Sequence, residues 1–287
     1  MEQHRNYSSI SPSARSLLLM KGYTNIPFAK QTAALMRGPE AFDLSFDEQD
    51  FGFWIRVMHF ESRYWSIDQL LKQVSNTNIL ELSSGYSLRG LEMCMREAVH
   101  YIDSDLPEVM ATKKQLIEQL NLGEDLKGRF EMAPLNAMDA AAFKEVTGRF
   151  AKGPVTVVNE GLLMYLNKEE KKHLCGSIRE LLQERGGCWI TADVYIKRTE
   201  DMQRAITQSK REAAFFQEHR IEENKFESYE EARVFFEEQG LKVLKEAEPN
   251  FKELSVLPKL METMPQELRE NRKPPPKIQA TWMLGVL

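Results

Sequence analysis

The chain has 287 residues, 42% hydrophobic and 28% charged, with a net charge of -5 and a pI of about 5.7. This length suits one large α/β domain with additions and buries a sizeable core without covalent staples. The acidic balance excludes general nucleic-acid binding, which needs a basic face. The three cysteines, Cys94, Cys175 and Cys188, are scattered without a C-x-x-C, which points to reduced thiols and to neither a disulfide framework nor a metal site. The opening MEQHRNYSSISPSARS is too polar for a secretory leader, and no apolar run approaches bilayer-spanning length. The expectation is a soluble, cytoplasmic protein that does not enter membranes.

Residues 1–75 read as helical and irregular. SPSARSLLLMKGY has a Ser-Pro start and a short apolar face, IPFAKQTAALM follows, and FWIRVMHFESRYWSIDQLLKQV carries aromatics at helical spacing. The pattern then changes to strand, turn and helix. TNILELSSGYSLRGLEMCMRE and HYIDSDLPEVMATKKQLIEQL both read this way, the second with Pro107 near a helix start, where a missing N–H costs little. RFEMAPLNAMDAAAFKEVTGRF repeats it, and PVTVVNEGLLMYLNKEEKKHLCGSIRELLQERG repeats it again with Gly186-Gly187 as a stop. CWITADVYIK is a fifth strand. This alternation predicts a parallel sheet covered on both faces. A polar helical insertion follows over about 197–225, read as a lid or a dimer surface. Then come a helix ending at Gly240, a strand, the loop ENRKPPPK and a last strand, KIQATWMLGVL.

In a doubly wound sheet, ligands sit outside the carboxyl ends of the strands. After the first strand stand Glu81, Ser83, Ser84, Gly85 and Arg89, a small-residue turn into a helix N-terminus that favours negative charge. After the second stand Asp103 and Asp105, at a distance where an acid accepts ribose hydroxyls; either could also cap the helix begun at Pro107. After the third, Asn136 and Asp139 are placed to meet an adenine edge, or Asp139 caps the helix AAAFKEV. After the fourth come Asn159, Glu160 and Gly161. An ionised carboxylate there requires partners or a ligand; the plainer reading is an acid near a helix cap.

Two of these stretches resemble a known family. DSDLPEVMATKKQLI is similar to an E-x-D-x-P-E-x-x-x-x-K segment, and NEGLLMYLNKEE to an A-E-G-x-x-x-Y-L segment, of the leucine carboxyl methyltransferase-like branch of class I S-adenosylmethionine-dependent methyltransferases. That branch includes the carboxyl methyltransferase of a protein phosphatase C-terminus and small-molecule O-methyltransferases of polyketide pathways. The resemblance covers roughly residues 60–195. It implies a doubly wound, mostly parallel, seven-stranded α/β sheet of Rossmann-like type with the last strand antiparallel, residues 1–75 forming a helical lid and residues 76–287 the core. It also implies S-adenosylmethionine as cofactor. Ser83 and Gly85 would lie against its methionyl portion, Asp103 or Asp105 would bind the ribose, and Met138, Asp139 and Ala140 would meet the adenine. Glu160 would reach the methionine amino group and Tyr165 would line the site. SRYWSID is similar to the family's R-T-R-Y-x-D, so Arg63 would pair with the methionine carboxylate, a task suited to a guanidinium fork. The family's first loop, G-x-G-x-D-x-R, here reads S-S-G-Y-S-L-R, so Ser83 and Ser87 replace a glycine and an aspartate.

The reaction so implied is O-methylation of a small-molecule hydroxyl or a carboxylate. No catalytic base is evident: His173 lies in the charged run KEEKKHL and reads as a surface residue, and His59, in the aromatic helix, either faces the pocket or packs, with packing the favoured reading. Trp54, Tyr64, Trp65, Phe215 and Phe216 are candidates for an apolar acceptor cavity, or for core. Two other readings stay open, a nicotinamide-dependent oxidoreductase and a non-catalytic binding module on the same fold.

Overall fold

Strand residues 78–82 and 155–159 are buried at every position, which only a sheet covered on both faces can accommodate. A computed structural model of the chain, describing residues 7–36, 46, 48–198, 210–249, 251–270 and 277–287, places them at the centre of such a sheet. The strands are β1 (Asn78–Leu82), β2 (His100–Asp105), β3 (Arg129–Pro134), β4 (Val155–Asn159), β5 (Gly187–Tyr195), β6 (Leu241–Glu246) and β7 (Gln279–Val286), in the order β3-β2-β1-β4-β5-β7-β6. β1 to β5 run parallel, and β7 is antiparallel to both β5 and β6. The last strand is therefore the reversed one, inserted beside the edge strand β6.

The helices follow from local signals. α1 (Pro12–Lys21) and α5 (Pro107–Gln119) begin on proline, and α2 is Ala29–Leu35. α3 (Phe51–Leu71) starts at Asp50, whose carboxylate accepts from the Phe53 amide at 2.8 Å. α4 (Arg89–Arg96) and α6 (Ala140–Thr147) complete the first units, and α7 (Lys168–Arg185) opens with a reciprocal Asn167–Glu170 capping box. α8 (Lys210–Glu218), α9 (Tyr229–Glu238), α10 (Leu257–Thr263) and α11 (Gln266–Glu270) follow. Part of the expected insertion, residues 199–209, lies outside the described residues, as do 271–276 of the Pro-rich loop.

Side chains alternate along each strand, so the sheet has two distinct cores. Leu80, Leu82, Val155 and Val157 pack with Trp189 and Trp282 beneath α6, α7 and α9. Ile79, Tyr101, Val158 and Ile190 point the other way, onto Cys94 of α4 and Ile67, Leu70 and Leu71 of α3. The N-terminal half of α3 instead packs Phe53, Trp54 and Val57 against Met20 of α1 and Leu260 of α10. One helix thus fixes the N-terminal helices relative to the strand ends.

The α4–β2 contact has no slack. A Cβ added to Gly90 would lie 2.3 Å from the ring of the fully buried Tyr101. Gly90→Ala gains about 1 kcal/mol of helix propensity but overpacks the core at a cost of about 1–3 kcal/mol. We expect net destabilisation in urea unfolding; a variant as stable as wild type would mean that Tyr101 can move aside.

Candidate functional site

The strand order reverses direction between β1 and β4, so their carboxyl ends splay apart and leave a crevice. A cavity of about 1060 Å³ opens there. Its floor comes from the turns after β1 to β4, and its walls from α1, α3, the end of β5 and α8.

At the centre stands Glu160, directly after β4. Its Oε1 accepts from Lys21 Nζ of α1 at 2.7 Å and from Arg63 Nη2 of α3 at 3.0 Å, and its Oε2 lies 3.4 Å from Arg89 Nη2 of α4. All four residues are buried. Burial alone would raise the carboxyl's pKa, but Lys21, Arg63 and Arg89 outweigh it and bring it down to about 2. Arg89 also ion-pairs with Asp68 and, through Nε at 3.5 Å, with Glu81, and it stacks 3.9 Å from the centre of the Tyr64 ring. Glu81 in turn accepts from Tyr101 Oη at 2.7 Å. Gly161 has a φ of 81°, and a Cβ there would come within 3.2 Å of Arg63 Nη2. A side chain would press on the cluster.

On the other side of β1, Asp105 closes the first turn. Its Oδ2 accepts from the Gly85 amide and its Oδ1 from the Leu106 amide, both at 2.7 Å. Burial raises its pKa to about 6 against the opposing pull of these two amides. Each oxygen keeps acceptor capacity toward the cavity that it lines. Ser83 takes a φ of 52° and Gly85 a φ of 55°. Serine thus adopts the left-handed backbone that a glycine would supply. That costs roughly 1–2 kcal/mol, partly offset because glycine would lose more entropy on folding, by about 0.5–1 kcal/mol.

The structure brings Arg63, Glu81, Ser83, Gly85, Asp105, Met138, Glu160 and Tyr165 together in the cavity wall. It leaves Asp103, Asp139 and Ala140 out of that wall. Asp103 is fully buried beneath the loop, 2.5 Å from Lys113 Nζ, and the same ammonium donates to Ser84 Oγ at 3.0 Å. Asp139 caps α6, its Oδ1 accepting from the amides of Ala141 and Ala142 at 3.0 Å. The third-strand turn meets the cavity through Leu135, Asn136, Ala137 and Met138 instead.

Among the aromatic candidates, Phe215 and Phe216 line the cavity, whereas Trp54, Tyr64 and Trp65 pack behind it. His59 also lines it, with Nε2 2.8 Å from Tyr195 Oη; that oxygen also accepts from Arg63 Nη1 at 2.9 Å. Burial, then the charges of Arg63, Arg198 and Lys225, push the His59 pKa down to about 3. His173 stands exposed on α7 with Nε2 3.1 Å from the Met138 carbonyl oxygen. The sequence reading missed Lys21 and Tyr195, which line the cavity, and Asp193, which binds the turn behind it. Nothing marks Lys21 locally within SARSLLLMKGY. For Tyr195 a signal existed, since it ends β5, and Asp193 stands two residues before it.

The chain matches the family model described as leucine carboxyl methyltransferase over residues 14–179, a span of 166 residues that exceeds half of the 287. It belongs to that family of S-adenosylmethionine-dependent methyltransferases. No curated protein matches. Among solved structures, a DUF574 family protein from Streptomyces avermitilis is 13% identical with a TM-score of 0.57, covering 96% of both chains. The magnesium protoporphyrin IX methyltransferase of Synechocystis PCC 6803 with bound S-adenosylhomocysteine is 10% identical with a TM-score of 0.49, covering 94% of this chain and 98% of its own. The mitomycin 7-O-methyltransferase is 11% identical with a TM-score of 0.48, covering 82% of this chain. This chain spans 57% of that protein's length, and 43% and 47% of two other matched structures. The likeness to the Streptomyces avermitilis protein supports the fold, a Rossmann-like sheet, and the family match places the chain among methyltransferases, apart from nicotinamide enzymes.

Because Glu160 has a folded pKa near 2, below the roughly 4.3 of an unfolded glutamate, its contribution to stability is present above pH about 4.3. It is lost as pH falls toward 2. Glu160→Gln leaves three buried cations short of a counter-charge and should cost about 3–5 kcal/mol at pH 7. It should also flatten the acid limb of the stability profile. Guanidinium titrations from pH 3 to 7 test this; an unchanged acid limb would show that the cluster does not hold Glu160 ionised.

Proposed function

We propose that this protein is an S-adenosylmethionine-dependent O-methyltransferase whose acceptor is a carboxylate or hydroxyl of a small molecule. The observation that carries the reading is the pairing of opposite chemistries across the β1–β4 crevice. Lys21 and Arg63 beside Glu160 match the carboxylate and ammonium of an amino-acid end, and Asp105 faces the neighbouring turn as an acceptor for ribose hydroxyls.

The donor set fits the cofactor on a further count. Arg63 Nε is buried without a hydrogen-bond partner among the described residues, so the guanidinium retains a donor for a carboxylate. Asn136 and the apolar Leu135, Ala137 and Met138 suit an adenine edge and face. S-adenosylmethionine, when bound, supplies a methyl group already activated on a sulfonium. The chain's own residues then orient the two partners and exclude water. Arg63 bridges the two ends of the cavity, one Nη on Glu160 and the other on Tyr195.

A specific observation favours a carboxylate over a hydroxyl acceptor. A carboxylate needs no proton removed at neutral pH, whereas a hydroxyl benefits from a base of matched pKa. His59 sits near 3 and Tyr195 is pushed up to about 12, chiefly by burial, so neither takes up a proton readily at pH 7. A cytoplasmic setting belongs to the same reading and is supported by three buried free thiols. Among the described residues no helix is long and apolar enough to cross a membrane.

Isothermal titration with S-adenosylhomocysteine tests the proposal, and saturable one-to-one binding is expected. Affinity should fall as pH drops through about 6, where Asp105 takes up a proton and loses acceptor capacity, approaching tenfold per pH unit. Asp105→Asn should bind more weakly and lose that dependence. Absence of binding at millimolar ligand would favour a non-catalytic module on the same fold.

A further inference from the structure

The turn that carries Glu160 has no helix to hold it. Between the last residue of β4 and the short 3₁₀ turn Leu163–Tyr165, the chain must present Glu160 to the cavity while leaving three successive amides pointing back beneath it. Those amides converge on one carboxylate. Asp193 Oδ1 accepts from the Gly161 amide at 2.6 Å, and Oδ2 from the amides of Leu162 and Leu163 at 2.6 and 3.1 Å. Oδ2 also accepts from Asn159 Nδ2 at 2.6 Å, and Asn159 Oδ1 is fixed by Trp189 Nε1 at 2.6 Å.

Asp193 reaches this position because β5 shifts register against β7 between Thr191 and Val194, which re-aims the side chain there. Asp193 is buried and stands outside the cavity wall, so it touches the ligand space only through the turn. A carboxylate is the side chain this arrangement suits, since all four partners are donors and Asp or Glu offers an acceptor oxygen to each side. An asparagine of the same shape would turn an N–H₂ toward at least one of those donors, leaving it buried and unmet.

We infer that Asp193 is a positioning residue for the cofactor site, clamping residues 161–163 so that Glu160 stays aligned with Lys21 and Arg63. This rests on the methyltransferase reading for its ligand but not for its geometry.

The test is S-adenosylhomocysteine titration of the full chain as wild type, Asp193→Asn, Glu160→Gln and the double variant, with folding checked by circular dichroism at the titration temperature. Folded Asp193→Asn should bind about 10- to 100-fold more weakly, as expected when a binding group is displaced by a fraction of an ångström to an ångström. In the Glu160→Gln background the same change should add little, because the group it positions is already gone. A residue that merely stabilises the fold would not produce that non-additivity. Wild-type affinity in the folded single variant, or an equal loss in both backgrounds, overturns the inference. Hydrogen exchange of the Gly161, Leu162 and Leu163 amides in the wild-type protein gives a second readout that needs no variant. Protection matching β4 is expected, and rapid exchange overturns the clamp. If wild type binds no ligand, the cofactor reading fails, and amide exchange alone decides whether Asp193 holds the turn.

Discussion

Everything around the cavity depends on one buried carboxylate. Glu160 gathers a lysine from the end of α1, an arginine from the middle of α3 and an arginine from the start of α4, three elements that otherwise meet the sheet at separate places. Taking such charges out of water costs several kcal/mol per ion, recovered only when each finds partners in good geometry. The cluster meets that condition through an extended set of contacts. Arg89 is shared among Asp68, Glu81, Glu160 and the Tyr64 ring, and Arg63 between Glu160 and Tyr195. A hydrophobic replacement of similar volume could stabilise the fold as well.

The crevice separates two kinds of chemistry. On the β4 side lies Glu160, which Lys21, Arg63 and Arg89 hold ionised near neutral pH against its burial. On the β2 side lies Asp105, whose charge is only marginally secure because burial works against it. The first suits a ligand group that is itself charged, since ion pairing in a buried site is worth more than in water. The second suits neutral hydroxyls, which a carboxylate bonds more strongly than a carbonyl would. Ser83 shows how little of this needs a particular side chain. The loop keeps its left-handed backbone at 83 and 85 although one position lacks a glycine, so the fingerprint departs from the family's pattern more than the fold does.

Legibility in the sequence followed how local each constraint is. The strands, the helix starts at Pro107 and Asn167 and the reversed last strand could be read because each is set by periodicity, caps or the resemblance. Glu160 could be read because an acid at the end of an apolar strand must find partners or a ligand to stay ionised there. Asp103 and Asp105 could not be told apart, since both lie on one face of β2, and only depth along the strand brings Asp105 at its end to the crevice while Asp103 meets Lys113 of the following helix. Asp139 and the glycine-like Ser83 were ambiguous because a cap and a ligand contact leave the same trace in sequence. Lys21 was invisible: its partner lies 139 residues away, and nothing near it in the chain records that contact.

The same distinction explains why one side of the cavity reads more clearly than the other. The clearer side is built chiefly from turns that immediately follow strands, so its residues sit at predictable places in each βαβ unit. The other side draws His59 from a helix face, Tyr195 from the far end of β5, Phe215 and Phe216 from α8 and Lys225 from the segment beyond it. No repeat unit relates these positions. Their shared property, burial of His59 among Arg63, Arg198 and Lys225, exists only once the chain has folded. Burial, with the charges of Arg63, Arg198 and Lys225 acting in the same sense, keeps that imidazole neutral at pH 7.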